Sequence, residues 1–310
     1  MSLAARPADR AGLWQRLIDQ PYLLLSLTSL FWAGNAVIGR YVAGQLPPAT
    51  LSVLRWGGAF LVVLPFAWPH WRTDWPAIRS RIGLMLAMAV IGVSAFNTLQ
   101  YTALQYTSAL NVLLLQSTGP LFVALWSLLI LKVRLTWVQL GGMLVSLVGV
   151  LIILMKGDLG ALAEIRFNYG DLIFLFALAM FGLYPVLTLR RPPMNGMSFL
   201  AFTFGVGALL LVPLMVQELM TRPLPPVVPA TVLPVIYVAV FPSFVAYLCY
   251  NRGVAKVGAN RAAPFFHLIP VFGAVMAIVL LGEKLQPFHL YGFVLVLAGV
   301  VLAARKPAGR

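Results

Sequence analysis

Residues 101–155 and 251–305 align with one another at a shift of 150 positions without a gap. Over these 55 positions the two segments share 11 identities: Ala109/Ala259, Pro120/Pro270, Phe122/Phe272, Ala124/Ala274, Leu131/Leu281, Leu135/Leu285, Leu140/Leu290, Gly142/Gly292, Leu147/Leu297, Gly149/Gly299 and Val150/Val300. Leucine matches carry little weight in an apolar chain. The paired proline and glycines carry more, because each marks a backbone event at the same place in both copies. A chain with this property is read as two copies of one structural unit.

The solvent for those units follows from composition. Mean hydropathy is +0.92, and charged residues make up 10% of the chain against 61% hydrophobic ones. A soluble domain needs about a quarter charged residues to cover its surface, so this chain belongs in a bilayer. A hydrocarbon core of about 30 Å is crossed by about 20 apolar helical residues. Ten such segments are predicted, near residues 22–42, 49–68, 82–104, 110–131, 136–155, 170–189, 197–217, 232–250, 260–281 and 287–304. Transmembrane strands would alternate apolar and polar residues, and the unbroken runs 140–155 and 293–304 do not. The expected fold is an all-α polytopic membrane protein. The first 20 residues carry Arg6, Arg10 and Arg16 without an apolar stretch, so they do not read as a cleavable signal peptide. Cys249, the single cysteine, allows no intrachain disulfide and is read as helix packing.

The net charge of +14 is a topology signal rather than a nucleic-acid footprint. With the N-terminus in the cytoplasm, 16 of the 22 basic residues fall on cytoplasmic segments: Arg6, Arg10, Arg16, Arg72, Arg79, Arg81, Lys132, Arg134, Arg190, Arg191, Arg252, Lys256, Arg261, Arg305, Lys306 and Arg310. The opposite side holds Arg40, Lys156, Arg166, Arg222 and Lys284, and Arg55 falls inside the second helix. Both termini are therefore expected in the cytoplasm. Five helices per half is an odd number, so the second half enters from the opposite face and the repeats are inverted. The expected division is a cytoplasmic segment 1–21, a first repeat 22–155, a connecting loop 156–169, a second repeat 170–304 and a cytoplasmic tail 305–310. An inverted pair rocking about an axis in the membrane plane exposes a midplane site to each side in turn.

Several motifs add a resemblance. Phe31-Trp32-Ala33-Gly34-Asn35 in the first helix, the Pro120 and Pro270 helices, and Leu281-Gly282-Glu283-Lys284-Leu285 followed by Gly292 and Gly299 resemble the drug/metabolite transporter superfamily, in its ten-helix exporter branch with two EamA-type repeats. The resemblance spans nearly the whole chain. It implies a carrier of small organic metabolites in the bacterial inner membrane, with amino acids as the leading substrate class and drugs or nucleotide derivatives as alternatives. The first half departs from the motif, with Val133 standing where the second has Glu283, so a symmetric role for that acid is not expected.

Polar side chains at bilayer depth are costly and normally face the bundle interior or a wet cavity. In the third helix Asn97, Tyr101 and Gln105 share one face. In the eighth, Ser243, Tyr247, Tyr250 and Asn251 share another. At the 150-residue shift Asn97 falls on Tyr247 and Tyr101 on Asn251, the same two residue types in exchanged order. Asn111, Gln116, Ser117 and Thr118 precede Pro120, and His267, at the position equivalent to Ser117, precedes Pro270. The prolines are expected to kink their helices, either for packing alone or to expose the carbonyls of Gln116 and Phe266. His267 is either a neutral histidine bonded across helices or a group that binds a carboxylate or relays a proton. Trp32, Asn35, Tyr184 and Thr188 line the first and sixth helices, whereas Trp68, Trp71, Trp75 and Trp137 are read as interfacial belts. The expected substrate-binding set is Trp32, Asn35, Asn97, Tyr101, Gln116, Ser117, Tyr184, Tyr247, Asn251 and His267. Arg55 has no evident partner; it can snorkel, pair with a helix end or attract an anion, and structural anchoring is the leading expectation.

All eight acids, Asp9, Asp19, Asp74, Asp158, Glu164, Asp171, Glu218 and Glu283, lie in loops or at helix ends. A midplane proton relay or sodium cage is therefore not expected, nor any metal or cofactor. Intramembrane hydrolase signatures such as HExxH or GxSxG are absent, which argues against an enzyme. A passive channel is a lesser alternative. The expected partners are a small-molecule substrate and the lipid bilayer, with no nucleic acid, and the chain is read as a monomer or a homodimer.

Overall fold

A computed structural model describes residues 20–42, 45–107, 109–158, 160, 168–222, 227–281 and 284–305. These are helical throughout, with no strand among them. Twelve helical elements follow in order: α1 (Pro21–Tyr41), α2 (Pro48–Ser80), α3 (Ile82–Ala103), α4 (Ala109–Gln116), α5 (Gly119–Leu131), α6 (Trp137–Leu154), α7 (Tyr169–Thr188), α8 (Gly196–Thr221), α9 (Pro229–Val257), α10 (Ala259–Ala262, running into a 3-10 turn at Ala263–His267), α11 (Leu268–Leu281) and α12 (Pro287–Ala304). Eight of them are long and apolar enough to cross a membrane, and α5 is a shorter apolar helix. Two of the ten expected spans are discontinuous. The span expected at 110–131 is divided between α4 and α5, and that at 260–281 between α10 and α11.

Pro120 accordingly does not kink a continuous helix. The chain turns at Ser117-Thr118, where Thr118 N donates to Leu115 O at 2.9 Å, and Pro120 opens the next helix, where its missing N–H costs nothing. Pro270 follows the 3-10 turn in the same way. The second helix is longer than expected: α2 runs 33 residues to Ser80, through Pro65, Pro69 and Pro76, where a loop was expected from residue 69. At 1.5 Å per residue it spans about 50 Å and overshoots the hydrocarbon core. Trp68 on this extension and Trp137 at the start of α6 are 72% and 87% exposed, as interfacial tryptophans would be.

Local signals account for the helix starts. Thr136 and Gln139 form a capping box at α6, with Gln139 N donating to Thr136 Oγ1 at 3.2 Å and Thr136 N to Gln139 Oε1 at 3.0 Å. Asn168 and Asp171 do the same at α7, and Asn195 Oδ1 accepts from Met197 N at α8.

The most extensive helix contacts all join one half of the chain to the other: α6 with α12, α2 with α8, α1 with α9 and α11, and α7 with α3 and α5. The α6–α12 seam shows why. A Cβ on Gly142 would stand 2.6 Å from Gly299 O, and one on Gly149 2.8 Å from Gly292 O, so only glycine allows the two backbones to approach this closely. These are the glycines paired in the sequence repeat, Gly142 with Gly292 and Gly149 with Gly299. The spacing of small residues, which has little meaning amid 26 glycines, is here the seam itself. The shift recurs in the backbone. α3 widens into a π-helical turn at Val90–Ala95 and α9 at Val240–Val245, both 150 residues apart. The Leu281-Gly282-Glu283 element lies partly outside the described residues, and the expectation for Glu283 falls there.

Candidate functional site

The two π-turns release carbonyls that regular α-helix would engage, and the opposite half takes them up. Pro242 O accepts from Trp32 Nε1 at 3.1 Å and from Arg55 Nη2 at 3.4 Å. Gly92 O, at the equivalent position, accepts from the Tyr247 hydroxyl. These bonds hold the middle of the molecule together, and beside them lies a cavity of about 320 Å³. That volume is at the small end of the range for ligand sites.

Of the ten residues expected to bind substrate, six line this cavity: Trp32, Asn35, Asn97, Tyr101, Gln116 and Tyr247. The wall is completed by Gln100, Phe96, Phe181, Val112, Leu113, Ile269, Gly273 and Arg55, among others. Trp32 forms an aromatic floor, with ring centroids 5.9 Å from Phe181 and Tyr247 and 5.7 Å from Phe266.

Arg55 is held by partners that the sequence does not reveal, in keeping with the structural anchoring expected of it. It does not snorkel and it has partners; its side chain is 1% exposed. Nε donates to Ser243 Oγ at 2.6 Å, and Nη1 reaches Asn35 Oδ1, Asn97 Oδ1 and the Tyr101 hydroxyl, each at 2.9 Å. Its Cζ sits 4.7 Å from the Trp56 ring centroid, a cation–π contact. Every hydrogen-bond partner is uncharged, and no acidic side chain among the described residues forms an ion pair with it. The signal that was available is the polar face Asn97–Tyr101, which needs a partner, together with a lone charge on a facing helix.

The other four expected site residues do not line the cavity. Tyr184 is fully buried, and its hydroxyl accepts from Asn251 Nδ2 at 3.1 Å within a packed cluster that includes Phe181, Tyr247 and Tyr250. Tyr101 and Asn251, equivalent at the 150-residue shift, therefore each pair within their own half. Ser117 and His267 do meet, because His267 Nε2 donates to Ser117 O at 2.8 Å, while its Nδ1 pairs with Ser146 Oγ at 2.5 Å. With both ring nitrogens engaged and 1% exposure, His267 closes the break between α4 and α5. The carbonyl freed at that break is thus capped by the other half.

The packed half is not fully satisfied. The Tyr250 hydroxyl, Asn251 Oδ1 and Arg191 Nη1 are buried without hydrogen-bond partners. Arg191, just beyond α7, stacks over Phe199 with Cζ 4.7 Å from the ring centroid, and burial lowers its pKa below the ordinary arginine value.

Comparison with known proteins agrees with this architecture. The model of a family described as the EamA-like transporter family matches residues 20–155 and 168–305. The uncharacterized transporter YyaM of Bacillus subtilis is 29% identical over 293 residues, covering 91% of this chain and 93% of its own. A probable terminal-alkyne amino-acid exporter of Streptantibioticus cattleyicolor is 27% identical over 239 residues, covering 75% and 76%. A solved crystal structure superposes on 91% of this chain and 96% of its own with a TM-score of 0.75 at 17% identity, a likeness of fold alone.

Proposed function

Because the chain belongs to the EamA-like transporter family and is a multi-pass membrane transporter rather than an enzyme, we propose that it exports small organic metabolites, amino acids foremost, from the bacterial cytoplasm by alternating access. In this reading residues 22–155 and 170–304 are inverted repeats of five spans each, with the divided helices as the fourth and ninth, and both termini are cytoplasmic.

The observation that carries the reading is the unequal state of two equivalent regions. Asn35 and Tyr101 line a cavity, whereas Tyr184, which falls on Asn35 when residues 181–184 are set against 32–35 at a shift of 149, and Asn251, which falls on Tyr101 at the shift of 150, are packed among aromatic rings. Unpaired polar atoms at Tyr250, Asn251 and Arg191 cost free energy while buried and regain partners in water if that side opens. A carrier needs two such conformations related by exchange of the halves. The neutral amides, aromatic floor and single cation suit an amino acid better than a multiply charged nucleotide derivative, and the relative named as a probable amino-acid exporter favours the same class.

Counterflow in proteoliposomes tests this. Purified protein should exchange at least one labelled amino acid above empty vesicles, and Gln116→Ala or Trp32→Ala should slow it at least tenfold. Movement of a sugar nucleotide with no movement of any amino acid would overturn the substrate class, and unitary currents would overturn the carrier.

A further inference from the structure

We propose that Arg55 is the recognition residue of the cavity and binds one carboxylate, so that the carrier selects monocarboxylates, amino acids among them, by their acid group. This rests on the carrier reading above and names the chemistry its site would take.

A guanidinium presents five N–H donors, one on Nε and two on each terminal nitrogen. Three acceptors at 2.9 Å crowd the two hydrogens of Nη1, and Nε is satisfied by Ser243. Nη2 has only the 3.4 Å contact to Pro242 O, so this edge of the fork is undersupplied. Asn97, which spends its Oδ1 on Arg55, keeps a buried Nδ2 with no acceptor at hydrogen-bonding distance, its amide facing the Tyr247 hydroxyl. Both residues line the cavity. A weakly engaged Nη2 and one unpaired amide donor therefore accompany one positive charge that no acid among the described residues neutralises. A carboxylate supplies two acceptor oxygens and one negative charge, and its bonds to arginine are of the strong, charge-assisted kind.

The count of charges decides against other anions. A phosphate monoester carries about −1.5 to −2 at neutral pH, and the cavity wall offers one cation. Among the described residues the wall also holds no acidic side chain, so an ammonium on the substrate finds no ion-pair partner among them and lies over the Trp32 or Tyr247 ring or against an amide oxygen. Selection accordingly falls on the acid end of the molecule, with the rest accommodated by aromatic and aliphatic wall.

Thermal-shift measurements on the purified full-length protein provide the test. The probes are the twenty amino acids at millimolar concentration, each with its methyl ester, its decarboxylated amine and its des-amino acid. At least one acid should stabilise the wild type, its des-amino analogue should bind within about tenfold, and the ester and amine should bind at least a hundredfold more weakly. Arg55→Lys, which keeps the charge but loses the planar fork, should weaken the acid at least tenfold, and Arg55→Gln should abolish its effect. The analogue series is run on the wild type, so it stands even if a variant does not fold. Equal binding of acid and ester, unchanged binding in a folded Arg55 variant, or stabilisation by no carboxylate would each overturn the proposal. If counterflow moves an amino acid and its ester equally, the carrier reading stands and the Arg55 assignment falls. If acids bind through Arg55 but no substrate moves, the assignment stands and the carrier reading falls.

Discussion

Asn251 Nδ2 donates to the Tyr184 hydroxyl at 3.1 Å, and at the equivalent positions of the first half the Tyr101 hydroxyl donates to Asn35 Oδ1 at the same distance. One interhelical bond is thus made twice, with the amide and the phenol exchanged between helices. In the first half Arg55 joins it beside a cavity; in the second, aromatic rings close over it. Breaking the second bond should therefore loosen the sealed side selectively. Tyr184→Phe removes about 1 kcal/mol of interaction, and Cys249, the native cysteine next to Tyr250 on α9 and 8% exposed, reports the result. Maleimide should label Cys249 several-fold faster in the variant, whereas an unchanged rate would show that the bond does not hold this side shut.

The glycine seam makes a sharper prediction about stability. Gly142→Ala brings a Cβ against backbone atoms of Gly299 and Ala303 that cannot rotate away. The expected loss is about 1–3 kcal/mol, read as a lower unfolding temperature in detergent. Gly141→Ala, one residue earlier with open space around it, should leave stability within about 1 kcal/mol of the parent.

His267 is predicted to matter for folding and not for proton coupling. Its partners, Ser117 O and Ser146 Oγ, tie α4 and α6 to the turn before α11. His267→Ala should cost about 1–3 kcal/mol of stability. A folded His267→Gln variant should keep the shape of the pH–transport profile, and a profile that flattens would return the residue to the transport cycle.

Asp171 secures the start of α7. Its carboxylate accepts from Thr107 Oγ1 at 2.5 Å, from Asn168 N at 2.7 Å and from Asn111 Nδ2 at 3.1 Å. It therefore binds the α3–α4 connection to the second half. Asp171→Ala removes the acceptor of the buried Asn111 amide and of the half-buried Thr107 hydroxyl and breaks the capping box of α7, which should cost about 2 kcal/mol, measurable by thermal unfolding. Asp171→Asn should lose less, since it keeps one acceptor oxygen.

The helices themselves were legible because bilayer depth imposes long apolar runs, and the repeat was legible because glycine and proline are costly to misplace. Asn97, Tyr101 and Tyr247 could be singled out by the same cost of burying polar groups. Arg55's role could not, because its partners Asn35, Asn97 and Ser243 stand 20, 42 and 188 residues away and converge only through packing. A lone charge on an apolar helix looks unpaired until neighbouring helices are assembled. The π-turns escaped for a different reason: one extra residue per turn leaves mean hydropathy unchanged, and the only trace is Gly92 and Pro242 at equal positions in the two halves. His267 was placed in the site as a histidine deep in a helix ahead of Pro270, and its second partner, Ser146, lies on a helix that otherwise reads as apolar.

The α6–α12 pair has a property that it shares with the Ser117–His267 contact. Exchanging each residue for its counterpart 150 positions away turns the approach of Gly142 to Gly299 into that of Gly292 to Gly149, which the molecule already makes. The pairing reads the same forwards and backwards. If the halves trade conformations, this pair has nothing to rebuild, and it can serve as the fixed spindle about which the cavity changes sides.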